Sequence, residues 1–390
     1  MRCKVTCFLF SFTIMTRIFL FFLCFLFIQN SFSQQFYIRG RVTDIETQLP
    51  LKGASVYINN TTKGSTTSDN GEFEIGPLQP GRYEVVASFV GYDALLYSAE
   101  IKTSNLRISF KVEKKEEILR EVLVLSSELR KHYLDIFKKF VIGLSVAADR
   151  CQIKNIEEVQ FASGETKDEI VAYTEKALVI ESPELGYTIH FDLLEFYYNK
   201  ATNSAYFFGY TRFVDWGKDE KTKKKWIRKR REAYEGSTVH FFRSLVNKQL
   251  AKEGFTVYQL LNTQKEKKDS AGVTINIQKT NQGMQMASKA IEDSMIRLYP
   301  DSVYKLYELR IKDGWRVFYE KNTELKLEIT RKMIVSGQPP TGTVSGLRLR
   351  EEPVLINERG IILTPIRLFY DGIWGYERLA NMLPEDYEVE

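Results

Sequence analysis

The chain has 390 residues, 44% hydrophobic and 27% charged, which is the composition of globular protein and excludes both a disordered chain and a multi-span membrane protein. Formal net charge is +5, and residues 1–33 hold three of the 55 basic residues and none of the 50 acidic ones, so the rest of the chain stands at +2. A nearly neutral chain has no electrostatic basis for nucleic-acid binding.

The N-terminus carries the first signal. From Met15, a basic Arg17 precedes an apolar run, Ile18 to Ile28, and then Ser31-Phe32-Ser33 with small residues at the cleavage positions. The run is shorter than the ~20 residues a spanning helix needs, so the pattern predicts a cleaved signal peptide over 1–33, with Met15 rather than Met1 as a candidate start. Three of the four cysteines lie in that leader and only Cys151 remains, so no internal disulfide is expected and the fold must rest on its cores.

From Phe36 to Val112 apolar residues alternate with a period of two: Ile38, Gly40, Val42; Ala54, Val56, Ile58; Tyr83, Val85, Ala87, Phe89; Leu106, Ile108, Phe110, Val112. Turn signals at Leu49-Pro50, Asn59-Asn60, Asp69-Asn70-Gly71, Pro80-Gly81 and Gly91 separate the runs. The pattern predicts an all-β sandwich of about seven short antiparallel strands over 34–113.

The order G-x-V-x-D (Gly40, Val42, Asp44), P-L-x-G-A-x-V (Pro50 to Val56), Gly64, D-x-G-x-F-x-I (Asp69 to Ile75) and L-x-x-G-x-Y (Leu78, Gly81, Tyr83), closing on Gly91-Tyr92, resembles the carboxypeptidase regulatory-like domain. The version it resembles decorates exported proteins of Bacteroidetes-type bacteria. Gln48 departs from the pattern, since glycine is more common at that turn. The resemblance implies a transthyretin- or starch-binding-like sandwich without catalytic residues. The residues agree: a zinc peptidase needs clustered His and Glu, whereas His132, His190 and His240 are 50 or more positions apart and lie in no such motif. The chain is therefore not expected to be a peptidase, and no metal or cofactor is expected. Asp69-Asn70-Gly71 reads as a turn, not a calcium loop.

Residues 114–127 read as a linker or edge strand. Glu121-Val122-Leu123-Val124 resembles the segment that follows this sandwich in TonB-dependent transporters, but the residues after it are too few for a barrel of roughly 22 strands. Residues 128–390 predict an α+β domain with a mainly antiparallel sheet. A helix opens it, with Leu129, Tyr133, Ile136, Phe137, Phe140 and Val141 on one face. Strands are expected at 169–180, 187–198, 205–213, 255–260, 304–311, 315–320, 324–330 and 360–370. A second helix is expected over 236–254, capped by Ser237 and stopped at Gly254. The stretches "FVIGLSVAADRCQI", "GYTIHFDLLEF", "YEGSTVHFFRSL" and "GIWGYERLANMLPEDYE" resemble an uncharacterised region found behind this sandwich in exported proteins, which implies no activity.

Candidate chemistry is sparse. Ser237 and His240 are spaced as a nucleophile and base, yet the serine is explained as a helix cap; Cys151 reads as a core thiol; Asp192 and Glu195 have no glycosidase motif around them. The basic run 221–231 (Lys221, Lys223, Lys224, Lys225, Arg228, Lys229, Arg230, Arg231) is a solvated face or a contact for anionic lipid such as lipopolysaccharide. Tyr197, Tyr206, Trp216 and Trp226 are candidate ligand-stacking rings, against the alternative that they fill the sheet core. The expectation is a non-catalytic exported envelope protein, in the periplasm or at the outer membrane, with an unknown protein or glycan partner. The alternatives are a carbohydrate- or peptide-binding component of TonB-dependent uptake, or an unrecognised enzyme in the second domain.

Overall fold

The computed structural model describes residues 35–115, 123, 125–217, 220–261, 267–268, 274–275, 285–289, 292–299, 305–312, 314–321, 344–349, 353–363 and 367–389. The leader over 1–33 and the strand expected at 324–330 lie outside them.

Seven strands build the sandwich. One sheet has the order β4 (Glu72–Leu78), β1 (Phe36–Asp44), β7 (Leu106–Val112); the other has the order β3 (Gly64–Thr66), β2 (Ser55–Ile58), β5 (Gly81–Ser88), β6 (Leu95–Ile101). All pairs are antiparallel except β1 with β7, which run parallel. The alternating apolar residues, among them Ile38, Val56, Val85 and Phe110, close into one core. Gly40 has a reason that its place in a strand does not suggest: a Cβ there would lie 1.7 Å from the Ile108 carbonyl oxygen of β7. The motif's Asp44 takes the Thr47 and Glu46 amides on one oxygen (2.8 Å each) and the Tyr92 hydroxyl on the other (2.7 Å). The Thr47 amide and the Tyr92 hydroxyl hold its carboxyl down at about 2. Gln48 accepts the left-handed backbone that glycine usually supplies (φ +57) and ties its amide to the Ile45 carbonyl.

The remainder is α+β with antiparallel sheets, as expected, and holds two cores. The first is a six-stranded antiparallel sheet made of β8 (Gln152–Ile153), β9 (Gln160–Ser163), β10 (Glu169–Tyr173), β11 (Leu178–Ser182), β12 (Tyr187–Asn199) and β13 (Ser204–Asp215). The single strand expected at 169–180 is two, broken at residues 174–177, where no glycine or proline marks the turn. Helix α1 (Ser127–Val141), capped by Ser126, covers this sheet with Tyr133, Phe137 and Val141, and α2 (Val146–Arg150) follows after Gly143 and the Ser145 cap. Phe137 meets Phe196 at 4.9 Å between ring centres.

Helix α3 (Glu220–Tyr234) and helix α4 (Thr238–Val246) then lead to the second core. Strand β14 (Phe255–Leu261) is followed by the two-residue strands β15 (Lys267–Lys268) and β16 (Thr274–Ile275), then β17 (Gln285–Lys289), α5 (Glu292–Met295), β18 (Ile296–Leu298), β19 (Leu306–Leu309) and β20 (Trp315–Tyr319). The chain closes with β21 (Val344–Leu349), β22 (Leu355–Asn357), β23 (Leu368–Gly372) and α6 (Ile373–Tyr376). One sheet has the order β17-β14-β20-β21-β23 and a smaller one β18-β19-β22. Phe241, Phe242, Trp315 and Trp374 fill the space between them and α4. The last residues turn back: Leu379, Ala380, Leu383 and Tyr387 pack into the core of the six-stranded sheet.

The sandwich is docked on that sheet, not tethered beside it. The Asn60 amide donates to the Thr211 carbonyl (2.8 Å) and the Phe213 amide donates to the Thr61 carbonyl (2.9 Å), so the β2–β3 loop extends the β13 edge. The same loop holds the C-terminal segment, since the Glu385 amide donates to the Asn60 carbonyl (2.7 Å) and the Thr62 amide donates to Asp386 (3.0 Å). On the other side of the interface, Asp192 accepts from the buried Tyr57 hydroxyl (2.5 Å) and from Ser88 (2.6 Å). Of the Glu121–Val124 run only Leu123 is described; its amide donates to the Phe161 carbonyl of β9 and its side chain packs on the first of the two cores.

Candidate functional site

A cavity of about 390 Å³ opens where the two cores and the sandwich loop meet. That is within the ~300–1,000 Å³ typical of small-molecule pockets. Its walls are the Ala205–Gly209 part of β13, the outer face of α4, β23 with Trp374, residues 377–385, and Asn59-Asn60 from the sandwich. The lining is largely apolar and aromatic, with Phe191, Phe207, Phe242 and Trp374 prominent. Two smaller hollows, of about 150 and 170 Å³, flank the sandwich interface.

Most polar groups on the wall are already engaged. Asn59 donates to Glu84 and accepts from the Thr211 amide; Asn60 accepts from the Thr211 hydroxyl and donates to Glu385. Ser237 caps α4 by accepting from the His240 amide (3.2 Å), and Asn381 accepts from Ser145 (3.2 Å). Burial, reinforced by the charges of Glu84 and Asp386, pushes the Glu385 carboxyl up to about 8. Arg378 is the cation on this wall. Its guanidinium lies 5.4 Å from the centre of the Phe207 ring, and among the described residues no oxygen accepts a hydrogen bond from it and no carboxylate reaches ion-pair distance. Burial lowers it to about 10, so it stays charged at neutral pH.

The residues singled out from sequence are not gathered here. Tyr206 lines the cavity, its ring edge-on to Phe369 at 6.5 Å; its cross-strand partner Tyr197 lies outside it, 43% exposed. Neither Trp216, just past the end of β13, nor Trp226 lines the cavity. Trp226 is buried, donates to the Pro183 carbonyl and packs edge-on against Trp216, whose own indole donates to Thr188. Trp226 is therefore a core residue and offers no face for a ligand to stack on.

The basic run forms α3, and one side of that helix faces inward. Arg230 is buried: it donates to Asp215 and to the Leu185 and Gly186 carbonyls and stacks on Tyr187 at 3.9 Å. An anionic surface cannot reach it. Lys225 pairs with Glu184, and Arg228 and Lys229 pair with Glu232. Lys221, Lys223, Lys224, Lys225, Arg228 and Arg231 are exposed.

The candidate nucleophiles have structural roles. The Ser237 hydroxyl serves as the helix cap, and the His240 ring is held at both nitrogens, Nδ1 accepting from the Gly236 amide (3.0 Å) and Nε2 facing Glu253 (3.4 Å). Burial pushes the Cys151 thiol up to about 11. Asp192 is held by Tyr57 and Ser88, while Glu195 lies past a bulge in β12 on the exposed side. Arg378, Glu385 and Asn60 were not legible as a site, because they are up to 325 positions apart and share no motif.

A family model described as the CarboxypepD_reg-like domain matches residues 38–124, under a quarter of the chain. No curated protein matches. Among solved structures, the chain is similar to the pilus 2b backbone protein of group B streptococcus, with 18% identity, 22% of this chain and 43% of that chain covered, and a TM-score of 0.20. It is also similar to a protein of Bacteroides fragilis described as membrane-associated and of unknown function (15% identity, 41% and 65% covered, TM-score 0.18). A third similarity is to a protein of Bacteroides uniformis described as carbohydrate binding (13% identity, 46% and 79% covered, TM-score 0.17). This chain spans less than half of the streptococcal protein. Likenesses at these scores say nothing about what this chain binds.

Proposed function

We propose that this chain, in which residues 38–124 are a CarboxypepD_reg-like sandwich, is a non-catalytic extracytoplasmic binding protein that holds an apolar ligand in the junction cavity. The observation that carries this reading is the cavity: about 390 Å³, walled mainly by aromatic and aliphatic side chains, and built jointly by three parts of the fold. The sandwich contributes Asn59 and Asn60 to the wall and binds both β13 and the closing segment, so its role is to set the cavity's shape. The engagement of Ser237 and His240, and the raised Cys151 thiol, support a binding role over a catalytic one. The leader at 15–33 supports export, and among the described residues no helix is long and apolar enough to cross a membrane.

The test is saturable binding of N-phenyl-1-naphthylamine, a neutral apolar fluorophore, to the purified protein. One-to-one binding is expected, lost in Val239→Trp, which fills the cavity from α4. Absence of saturable binding, or unchanged binding in that variant, overturns the reading. Cell fractionation checks export; recovery in the cytoplasm refutes that part alone.

A further inference from the structure

The unpartnered cation in an apolar cavity specifies more than hydrophobicity. A part-buried guanidinium with no acceptor gives up some hydration, which stacking on one ring returns only in part. Arg378 is held there regardless. The Asn381 amide donates to its carbonyl (3.0 Å), and two residues along the Ala380 amide donates to the Ile142 carbonyl (3.1 Å), so the backbone cannot easily carry the side chain outward. Its own neighbours reinforce the position, since Leu379 and Ala380 are buried in the core of the six-stranded sheet. Asn59, Asn60, Thr211 and Asn381 already have protein partners, and Arg378 is the cation on the wall available to an anionic group of a ligand.

Glu377 and Glu385 line the same cavity. The Glu377 carboxylate and a single guanidinium disfavour a dianion such as a phosphate monoester, while Glu385, kept neutral by burial, adds no second negative charge at neutral pH. A carboxylate needs only one fork of parallel N–H donors, the geometry a guanidinium supplies. We infer that the ligand is a monoanionic amphiphile, a carboxylate on a hydrocarbon body, with the carboxylate paired to Arg378 and the body among Phe191, Phe207, Phe242 and Trp374. This inference rests on the proposed binding role of the cavity.

The experiment displaces N-phenyl-1-naphthylamine at pH 7 with dodecanoate, 1-dodecanol and dodecyl phosphate, using the wild type, Arg378→Met and Arg378→Lys. In the wild type dodecanoate is expected to bind at least ~10-fold tighter than dodecanol and tighter than dodecyl phosphate. Arg378→Met removes the preference while dodecanol still binds, which also shows that the variant is folded; Arg378→Lys restores part of it. If dodecanol matches dodecanoate in the wild type, the pairing is wrong and the cavity stands. If dodecyl phosphate binds tightest, the monoanion is wrong. A preference that survives in Arg378→Met, or that is lost equally in Arg378→Lys, removes Arg378 from the role. Failure of the fluorophore itself to bind overturns the cavity reading, and this inference with it.

Discussion

Asp192 is the residue on which the docking of the sandwich can be measured. Its two oxygens accept from Tyr57, which is 1% exposed, and from Ser88, at 2.5 and 2.6 Å. Both donors belong to the sandwich, and Asp192 belongs to the six-stranded sheet. A hydrogen bond to a charged group contributes about 1.5–3 kcal/mol. Two of them, discounted because Asp192 is only half-buried, put Asp192→Ala at about 3 kcal/mol, with the buried Tyr57 hydroxyl left without its acceptor. Tyr57→Phe removes one bond and its donor together, for about 1.5 kcal/mol. The double variant should then cost little more than Asp192→Ala alone, a coupling of about 1.5 kcal/mol. Urea unfolding followed by tryptophan fluorescence reads this cleanly, because Trp216, Trp226, Trp315 and Trp374 all lie outside the sandwich. Tyr57→Phe, a change within the sandwich, must move a midpoint reported from the rest of the chain. If that midpoint stays put, or the two changes add to within about 0.5 kcal/mol, the sandwich is an independent domain and the interface carries no energy.

Two further outcomes follow from the same junction. The Glu385 carboxyl is raised to about 8, above its ordinary range near 4.5, so between those pH values the folded state holds a proton that the unfolded state has lost. Stability should therefore fall as pH rises from about 5 to 8 and level off above, and Glu385→Gln, which keeps the acceptor for Asn60, should flatten that slope in urea titrations across the range. Asn60 holds a left-handed backbone (φ +58) while its side chain binds Thr211 and Glu385. Asn60→Gly and Asn60→Ala lose the same side-chain bonds, but the alanine also bears the backbone strain, so it should be less stable by about 1 kcal/mol in thermal or urea unfolding; equal losses would show that the loop relaxes.

What the sequence disclosed follows a physical divide. The sandwich was legible because a period of two reports directly which face of a strand is buried, and because its turn residues are local: Gly91, Asn60 and Gly71 take the backbone their types favour. Ser237 was legible as a cap for the same reason. The basic run was only half legible. Trp226, Arg230 and Ala233 fall at four- and three-residue spacing, the signature of a buried helix face, but eight charges in eleven residues outweigh that stripe in any reading by composition. The split of 128–390 into two cores was hidden, since both are built from non-adjacent strands and the closing residues of the chain return to the earlier one. The cavity was hidden more deeply. Its walls come from residues 59 to 385, and the stretch "GIWGYERLANMLPEDYE", familiar in texture but with no assigned role, supplies Trp374, Arg378 and Glu385.

That distribution bears on how the sandwich should be understood. A module attached by a linker would keep its own polar loops solvated, and the sheet behind it would protect its edge by other means. Here the β2–β3 loop does both jobs: its backbone pairs with β13 at Thr211 and Phe213, and its other side receives Glu385 and Asp386. Removing the sandwich would thus strip the β13 edge, free the closing segment, and take Asn59 and Asn60 from the cavity wall in one step. The binding site and the domain interface are the same construction. A protein lacking residues 35–115 would therefore lose the cavity even if its sheets formed, and its bare β13 edge would favour strand-to-strand association between copies over a folded monomer.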